Sequence, residues 1–279
     1  MSMPAPSPLA AFRDILVGII VEDERDAVSP AIGYELSLTE AASAHVTIQS
    51  SSWCLVKTDA WVQGSADPGI GIVDRAYAEN AAGATAQAGL VCTWEAPRLP
   101  YPEVVHRQAA EARLHDLTAL DLDSHSEILS RETVEAALIG SGWPVLAVPR
   151  SHPAFAGRRI LGAWDGSLQA ARAANDTMPL LLAADAVEIV SVGDADDLLT
   201  SVPGAKFARH LARHDVAVTV SDLPQDGSIA DTLRSHAGLV RADLMVMGAD
   251  RHSRTREFVF GGVTRSLLLD APVPLFLSH

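Results

Sequence analysis

Near the C-terminal end of this 279-residue chain runs "MGADRHSRTREFVFGGVTRSLL", Met247 to Leu268. A strand-like apolar run stops at Gly248, a basic polar stretch follows, and Gly261-Gly262 opens a second apolar segment. Two readings fit: a cradle for phosphate, or a loop joining a strand to a helix. Glycines let the backbone turn at positive φ and approach a phosphate closely, and a helix that starts there aims its free amides and positive dipole end at the charge. Within the stretch, "RHSRTR" from Arg251 to Arg256 is either an anion site or a solvated loop.

Other chemistry-bearing spacings are weaker. His210 and His214 stand at i, i+4, a spacing that can put two imidazoles on one metal, but the Glu of an HExxH motif and a third ligand are missing, so a polar helix face is expected. Asp121, Asp123 and Glu132 fall at calcium-loop offsets, yet Ser126 replaces the turn glycine such a loop needs. No GxSxG elbow occurs. Gly69-Ile-Gly71 and Gly140-Ser-Gly142 read as turn punctuation. No catalytic residue is assigned, and no metal is expected beyond magnesium accompanying a nucleotide.

Composition narrows the class. A formal charge of -14 repels nucleic acids and anionic membranes, so neither is an expected partner. Apolar runs such as Ile15 to Val21 are far shorter than the ~20 residues that span a bilayer. The opening "MSMPAPSPLAAF" lacks a basic region followed by an apolar one, and a cytoplasmic location is expected. Cys54 and Cys92 have no CxxC spacing and suit a reducing compartment.

The elements that must position the glycine-rich stretch are written twice. "RDILVGIIVE" from Arg13 and "RRILGAWDGS" from Arg158 both read as a buried strand entered by a charged residue. "ETVEAALIGSGWPVLAVP" and "GGVTRSLLLDAPVPLFLSH" both give a helix, a break, a proline and a short apolar strand. Domains are therefore expected at 13–150 and 158–279, after a disordered segment 1–12. In the second, strands at Ile160–Trp164, Val187–Val192, Val216–Val220, Leu244–Met247 and Val273–Leu277 alternate with helices, including one over Leu168–Ala183. In the first, strands fall near Ile15–Val21, Val46–Ser50, Leu90–Trp94, Thr118–Leu122 and Val145–Val148. The fold class is α/β: two repeated doubly wound domains, each a five-stranded, mostly parallel sheet flanked by helices. Such sheets bind ligands beyond the carboxyl ends of their strands, where the strand order reverses, near Asp165 and Gly248.

At "LGAWDGS" and "DLMVMGA…GGVTRSLL…APVPLFL" the sequence resembles the universal stress protein family, specifically its tandem two-domain members. The order of elements is similar along nearly the whole chain, the motifs only in the second half. The resemblance implies the adenine nucleotide alpha hydrolase-like fold and a loop of Gly, two residues, Gly, nine residues, Gly, then Ser or Thr. In that frame stand Gly248, Arg251, Gly261 and Gly262, with Val263 and Thr264 following. Asp165 would stand beside adenine, and the backbone at Val192 would read its edge. Gly262 lacks the family hydroxyl, which Thr264 partly replaces; Arg251 either obstructs the phosphates or pairs with them.

The first half has no DGS turn and no glycine from Asp121 to Ala136, and Glu22, Asp23, Glu24, Asp121 and Asp123 would repel phosphate. The expected function is a stress-response regulatory or binding module, sensing ATP or another adenine nucleotide in its C-terminal domain. Alternatives are a nucleotide-free dimerising scaffold and a slow ATP hydrolase or nucleotide-dependent enzyme using Asp250. Pairing of Val145–Val148 with Val273–Leu277 as an internal pseudo-dimer, and a homodimer of chains, are also expected.

Overall fold

The computed structural model describes residues 7–21, 30–54, 68–87, 89–100, 103–122, 127–193, 204–249 and 260–279. Two compact units make up the chain, one from Phe12–Trp143 and Arg150–Phe155, the other from Met1–Ala11, Pro144–Pro149 and Ala156–His279.

In the first unit, runs of β-branched and aliphatic residues give β1 (Asp14–Val21), β2 (His45–Cys54), β3 (Cys92–Glu95) and β5 (Leu117–Asp121), with a short β4 (Arg98–Pro100) that the sequence did not announce. All pairings are parallel, in the order β3-β2-β1-β5, with β4 extending along β2. Helices α1 (Pro30–Ala42), α2 (Pro68–Gln87), α3 (Glu103–Glu111) and α4 (Glu127–Ser141) form the connections that parallel pairing demands. Gly69 and Gly71 lie inside α2, so they are not turn punctuation; Gly142, at φ +76°, does turn the chain after α4. Val17, Ile19, Val46, Ile48 and Ala81 pack into one core cluster, with Ile32 of α1 and Cys92 against it.

The second unit contains β7 (Arg159–Ala163), β8 (Ala186–Gly193), β9 (Val218–Pro224), β10 (Leu244–Gly248) and β11 (Leu275–Ser278). Its order, β11-β10-β7-β8-β9, reverses between β7 and β10, which is where a doubly wound sheet opens a crevice. The helices are α5 (Leu168–Asp176), α6 (Met178–Ala183), α7 (Gly204–Ala212), α8 (Ile229–Val240) and α9 (Gly262–Leu269). The single helix expected over Leu168–Ala183 breaks at Thr177, because Pro179 has no amide N–H to continue the ladder. The Thr177 carbonyl instead restarts α6 by accepting from Leu180 and Leu181, at 2.8 and 3.0 Å.

β6 (Val145–Val148) closes the first repeat in sequence as the last of its five expected strands, and by compactness it groups with the second unit. It pairs antiparallel with β11, Leu275 opposite Ala147 and Leu277 opposite Val145, so the edge of β11 is covered by a fully buried strand. Within the stretch 1–12, expected to be disordered, Pro8–Ala11 forms a 3-10 turn that buries Leu9. No helix among the described residues is long and apolar enough to cross a membrane.

Candidate functional site

The crevice of the second unit begins where β7 stops. Asp165 follows it, and its Oδ1 accepts from the Ser167 amide at 2.9 Å, a tight turn made possible by Gly166 at φ +80°. Ser167 then caps α5, its hydroxyl accepting from Ala170 N at 3.1 Å. "DGS" therefore shapes the chain locally, ending the strand and starting the helix.

Gly248 ends β10 at the same level. A Cβ there would lie 2.5 Å from the Gln169 carbonyl carbon and closer still to Ala170 N. The bare backbone is what lets the start of α5 pack against β10. Its φ is not positive, and neither is that of Gly261 (φ -56°, ψ 156°) or Gly262; the left-handed glycine of the site is Gly166. The expected positive-φ turns at the cradle glycines are corrected accordingly: Gly248 serves close approach, and Gly261 caps a helix.

From Gly261 the chain turns into α9, and the first helical hydrogen bond is Arg265 N to Gly261 O at 3.0 Å. Gly262, Val263 and Thr264 thus form the first turn, where amides have no acceptor within the helix. No side chain caps them. The Thr264 side chain is buried, whereas Gly262 is exposed and a Cβ on it would meet nothing within 4 Å.

These pieces surround one cavity of about 160 Å³. Of the residues singled out from sequence, Asp165, Val192, Gly248, Gly261, Gly262, Val263 and Thr264 all line it. Arg251 and Asp250 lie outside the described residues, as do Glu22, Asp23, Glu24 and Asp123 of the first half. Sequence reading missed the apolar walls: Ala163, Trp164, Ala170, Val190, Ile229, Leu233 and Met247. A signal existed, since Val190 and Val192 are two apart on a strand and Ile229 and Leu233 are four apart on a helix, the periods that put neighbours on one face. Behind the wall, the Trp164 ring stacks on Phe207 of α7, centroids 4.0 Å apart and planes within 6°. Chemically, the cavity offers an apolar slot, one carboxylate at its rim and a helix start: it suits a flat, largely apolar group attached to an anionic one.

The remaining spacings give no centre. His210 is exposed on α7 and His214 in the turn that follows it, rings edge to face at 4.9 Å. Among the described residues no group of three or more His, Cys, Asp or Glu side chains is placed to hold a metal ion. Asp121 ends β5 and Glu132 lies in α4.

Residues 157–279 match the sequence model of the Universal stress protein family. This half of the chain is a universal stress protein domain. Among solved structures, a universal stress protein from Archaeoglobus fulgidus DSM 4304 superposes with a TM-score of 0.68 at 16% identity, covering 95% of this chain and 97% of that one. A functionally unknown protein from Pseudomonas aeruginosa PAO1 follows, with a TM-score of 0.62 at 13% identity over 97% of this chain and 93% of its own. The cytoplasmic domain of a prokaryotic cation chloride cotransporter gives 0.50 at 13% identity, with 95% of each chain covered. At these identities the likeness is one of fold. It extends through the first half, beyond the residues that the universal stress protein model matches, as a tandem arrangement requires. A search of curated protein sequences finds no match.

Proposed function

We propose that this chain is a regulatory binding module of the stress response, whose second half holds an adenine nucleotide and whose output is a conformation or an interaction. The observation that supports this is the cavity itself, which gathers Asp165, Val192, Gly248 and the start of α9 around one opening at the reversal of strand order. In this reading the base occupies the apolar slot beside Asp165 and Val192. The phosphates, with their magnesium, lie on the amides of Gly262, Val263 and Thr264, where the helix dipole favours negative charge. The protein works in the cytoplasm as a homodimer.

The test is to denature protein purified without added nucleotide and analyse what is released, then to titrate the full chain with ATP, ADP and AMP by calorimetry. Released or titratable adenine nucleotide supports the reading; a protein that neither releases nor binds one overturns it. A second reading, a nucleotide-free dimerising scaffold, draws on the cavity's size, which is below the ~300 Å³ at which ordinary ligand pockets begin. A slow ATP hydrolase would instead release phosphate, and lose that release in Asp250→Asn.

A further inference from the structure

Three helices line the cavity: α5 through Ala170, α8 through Ile229 and Leu233, and α9 through Gly262, Val263 and Thr264. Arg234 follows Leu233 directly but is not among the lining residues, and its side chain is only 18% exposed. It reaches the far end of α9. There Nε donates to the Asp270 carbonyl at 2.8 Å, and Nη2 donates to the Ser266 carbonyl and to Ser266 Oγ, the latter at 2.8 Å. The last carbonyls of a helix lack intrahelical donors and carry the negative end of its dipole, so a guanidinium from a neighbouring helix is a suitable cap.

The other side of the fork is fixed as well. Nη1 donates to Asp231 Oδ1 at 2.7 Å, while Asp231 Oδ2 accepts from Ser228 Oγ at 2.7 Å and from Ser228 N at 3.3 Å, closing the capping box that starts α8. The hydrogen bonds from Ser228, then the charge of Arg234, hold the Asp231 carboxyl below its ordinary range, so it stays an acceptor. One side chain thus ties the start of α8 to the end of α9. Because α9 is only eight residues long, about 12 Å, fixing its C-terminal turn also fixes where its first amides point.

We propose that Arg234 is a positioning residue: without touching the ligand, it sets the spacing of α8 and α9 and presents the first-turn amides of α9 to the phosphates. This rests on the nucleotide reading above. Because the base slot is built largely from β7, β8 and β10, loss of the clamp should affect phosphate binding and spare the nucleoside. A merely structural arginine would affect both alike.

The experiment compares ATP with adenosine, by calorimetry on the full chain, for the wild type, Arg234→Met and Arg234→Lys, each checked as folded by circular dichroism. The methionine variant is expected to lose about tenfold in ATP affinity while adenosine stays within about twofold. Lysine, which keeps the charge but not the planar fork, should fall between. Should Arg234→Met not fold, Ser266→Ala, which removes only the Oγ acceptor, is expected to show the same bias at about twofold. Equal losses for ATP and adenosine, or no loss for either, overturn the positioning role and leave the nucleotide reading intact. Wild-type protein binding neither ligand overturns both.

Discussion

Asp116 and Asp243 do the same work in the two halves. Asp116 precedes β5 and its Oδ2 accepts from the amides of Arg13 and Asp14 at 2.8 and 3.1 Å; Asp243 precedes β10 and its Oδ2 accepts from Arg158 and Arg159 at 3.0 and 3.1 Å. With Ile15 paired to Leu117 and Ile160 paired to Leu244, the two frames superimpose residue by residue. Along that register the carboxyl ends diverge. Ile20 stands where the second half has Asp165, Ser51 where it has Val192, and Asp121 where it has Gly248. β1 also runs on to Val21, pairing with Ser50, Ser51 and Ser52, through the level at which the second half has already turned at Gly166.

The lesson is that the strand frame and the ligand edge vary independently. The first half keeps the aspartate that joins strands at the amino ends and replaces Asp165, Val192 and Gly248 at the carboxyl ends. Its interior has changed too. Glu35, Gln49, Ser50, Ser51, Ser52, Gln108 and Thr118 each bury side-chain atoms with no hydrogen-bond partner, whereas among the described residues of the second half only Ser278 does. Gly18 shows how closely one of them is packed: a Cβ there would lie 2.7 Å from the Gln108 amide carbon. At about 1–3 kcal/mol for each unmade bond, the first unit is expected to be the less stable.

The strongest way to break this contrast is to carry it across the register. Gly248→Asp gives the second half the first half's residue. The new Cβ collides with the backbone at the start of α5, an overpacking cost of about 1–3 kcal/mol, and the carboxylate adds like charge to the phosphate side. Nucleotide affinity should drop by at least ~100-fold, with a lower urea midpoint; a small like-for-like change in Gly248→Ala would assign the loss to charge alone. Unchanged binding in Gly248→Asp would remove the carboxyl end of β10 from the site.

Much of this frame was legible in the sequence. Uninterrupted apolar runs marked the strands, and repeated charged entries at Arg13 and Arg158 marked the repeat, because strands buried on both faces admit little else. Asp165 and Gly248 were legible as strand ends and Gly261-Gly262 as a helix opening, while the frame that joins them came from the family resemblance. The reasons for them were not: Gly248 is required by the approach of Gln169 and Ala170, a contact between elements distant in sequence. The pairing of β6 with β11 was expected from the family resemblance and not from periodicity, since nothing in a short apolar strand names its partner. The clamp by Arg234 joins residues 32 and 36 positions apart, which no local pattern encodes.

Burial in the first half makes a pH test. Glu35 is fully buried, and desolvation, then the charge of Asp121, push its carboxyl well above the ordinary 4.5. The folded protein therefore holds that proton when the unfolded chain has lost it. This stabilisation is complete below about pH 4.5 and is lost as pH rises toward the folded value. Urea midpoints of the wild type should decline over that rise, while those of Glu35→Gln, neutral throughout, should decline less and lie higher at pH 8. Parallel profiles for the two proteins would mean that Glu35 is charged and satisfied.

Arg251 sharpens the comparison inside the second half. Its Cβ disfavours a left-handed backbone by about 1–2 kcal/mol, and Asp250 next to it and Glu257 six residues on can neutralise its charge. Arg251→Gly is expected to tighten ATP binding by about tenfold, as removal of an obstruction. Weaker binding with a shallower salt dependence would instead make the guanidinium a phosphate ligand.

The smallest expected change is at Gly262, where the space is free. A Cβ there meets nothing within 4 Å, the backbone is helical, and the residue is exposed at the first position of α9. Serine also costs a helix less than glycine, by a few tenths of a kcal/mol, so Gly262→Ser should fold at least as well as the wild type. Its hydroxyl would stand beside the unpaired amides of the first turn and add one donor. At this exposed position a hydroxyl bond to phosphate is screened by solvent and contributes about 0.5–1.5 kcal/mol, which sets the expected gain in ATP affinity at about two- to tenfold, with adenosine unchanged. Because Thr264 already lines the cavity two residues on, the double variant Gly262→Ser with Thr264→Val separates the two hydroxyls. If the threonine already fills the donor's place, serine adds nothing in its presence and restores binding in its absence. An equal gain for adenosine would move the hydroxyl's partner from the phosphates to the sugar.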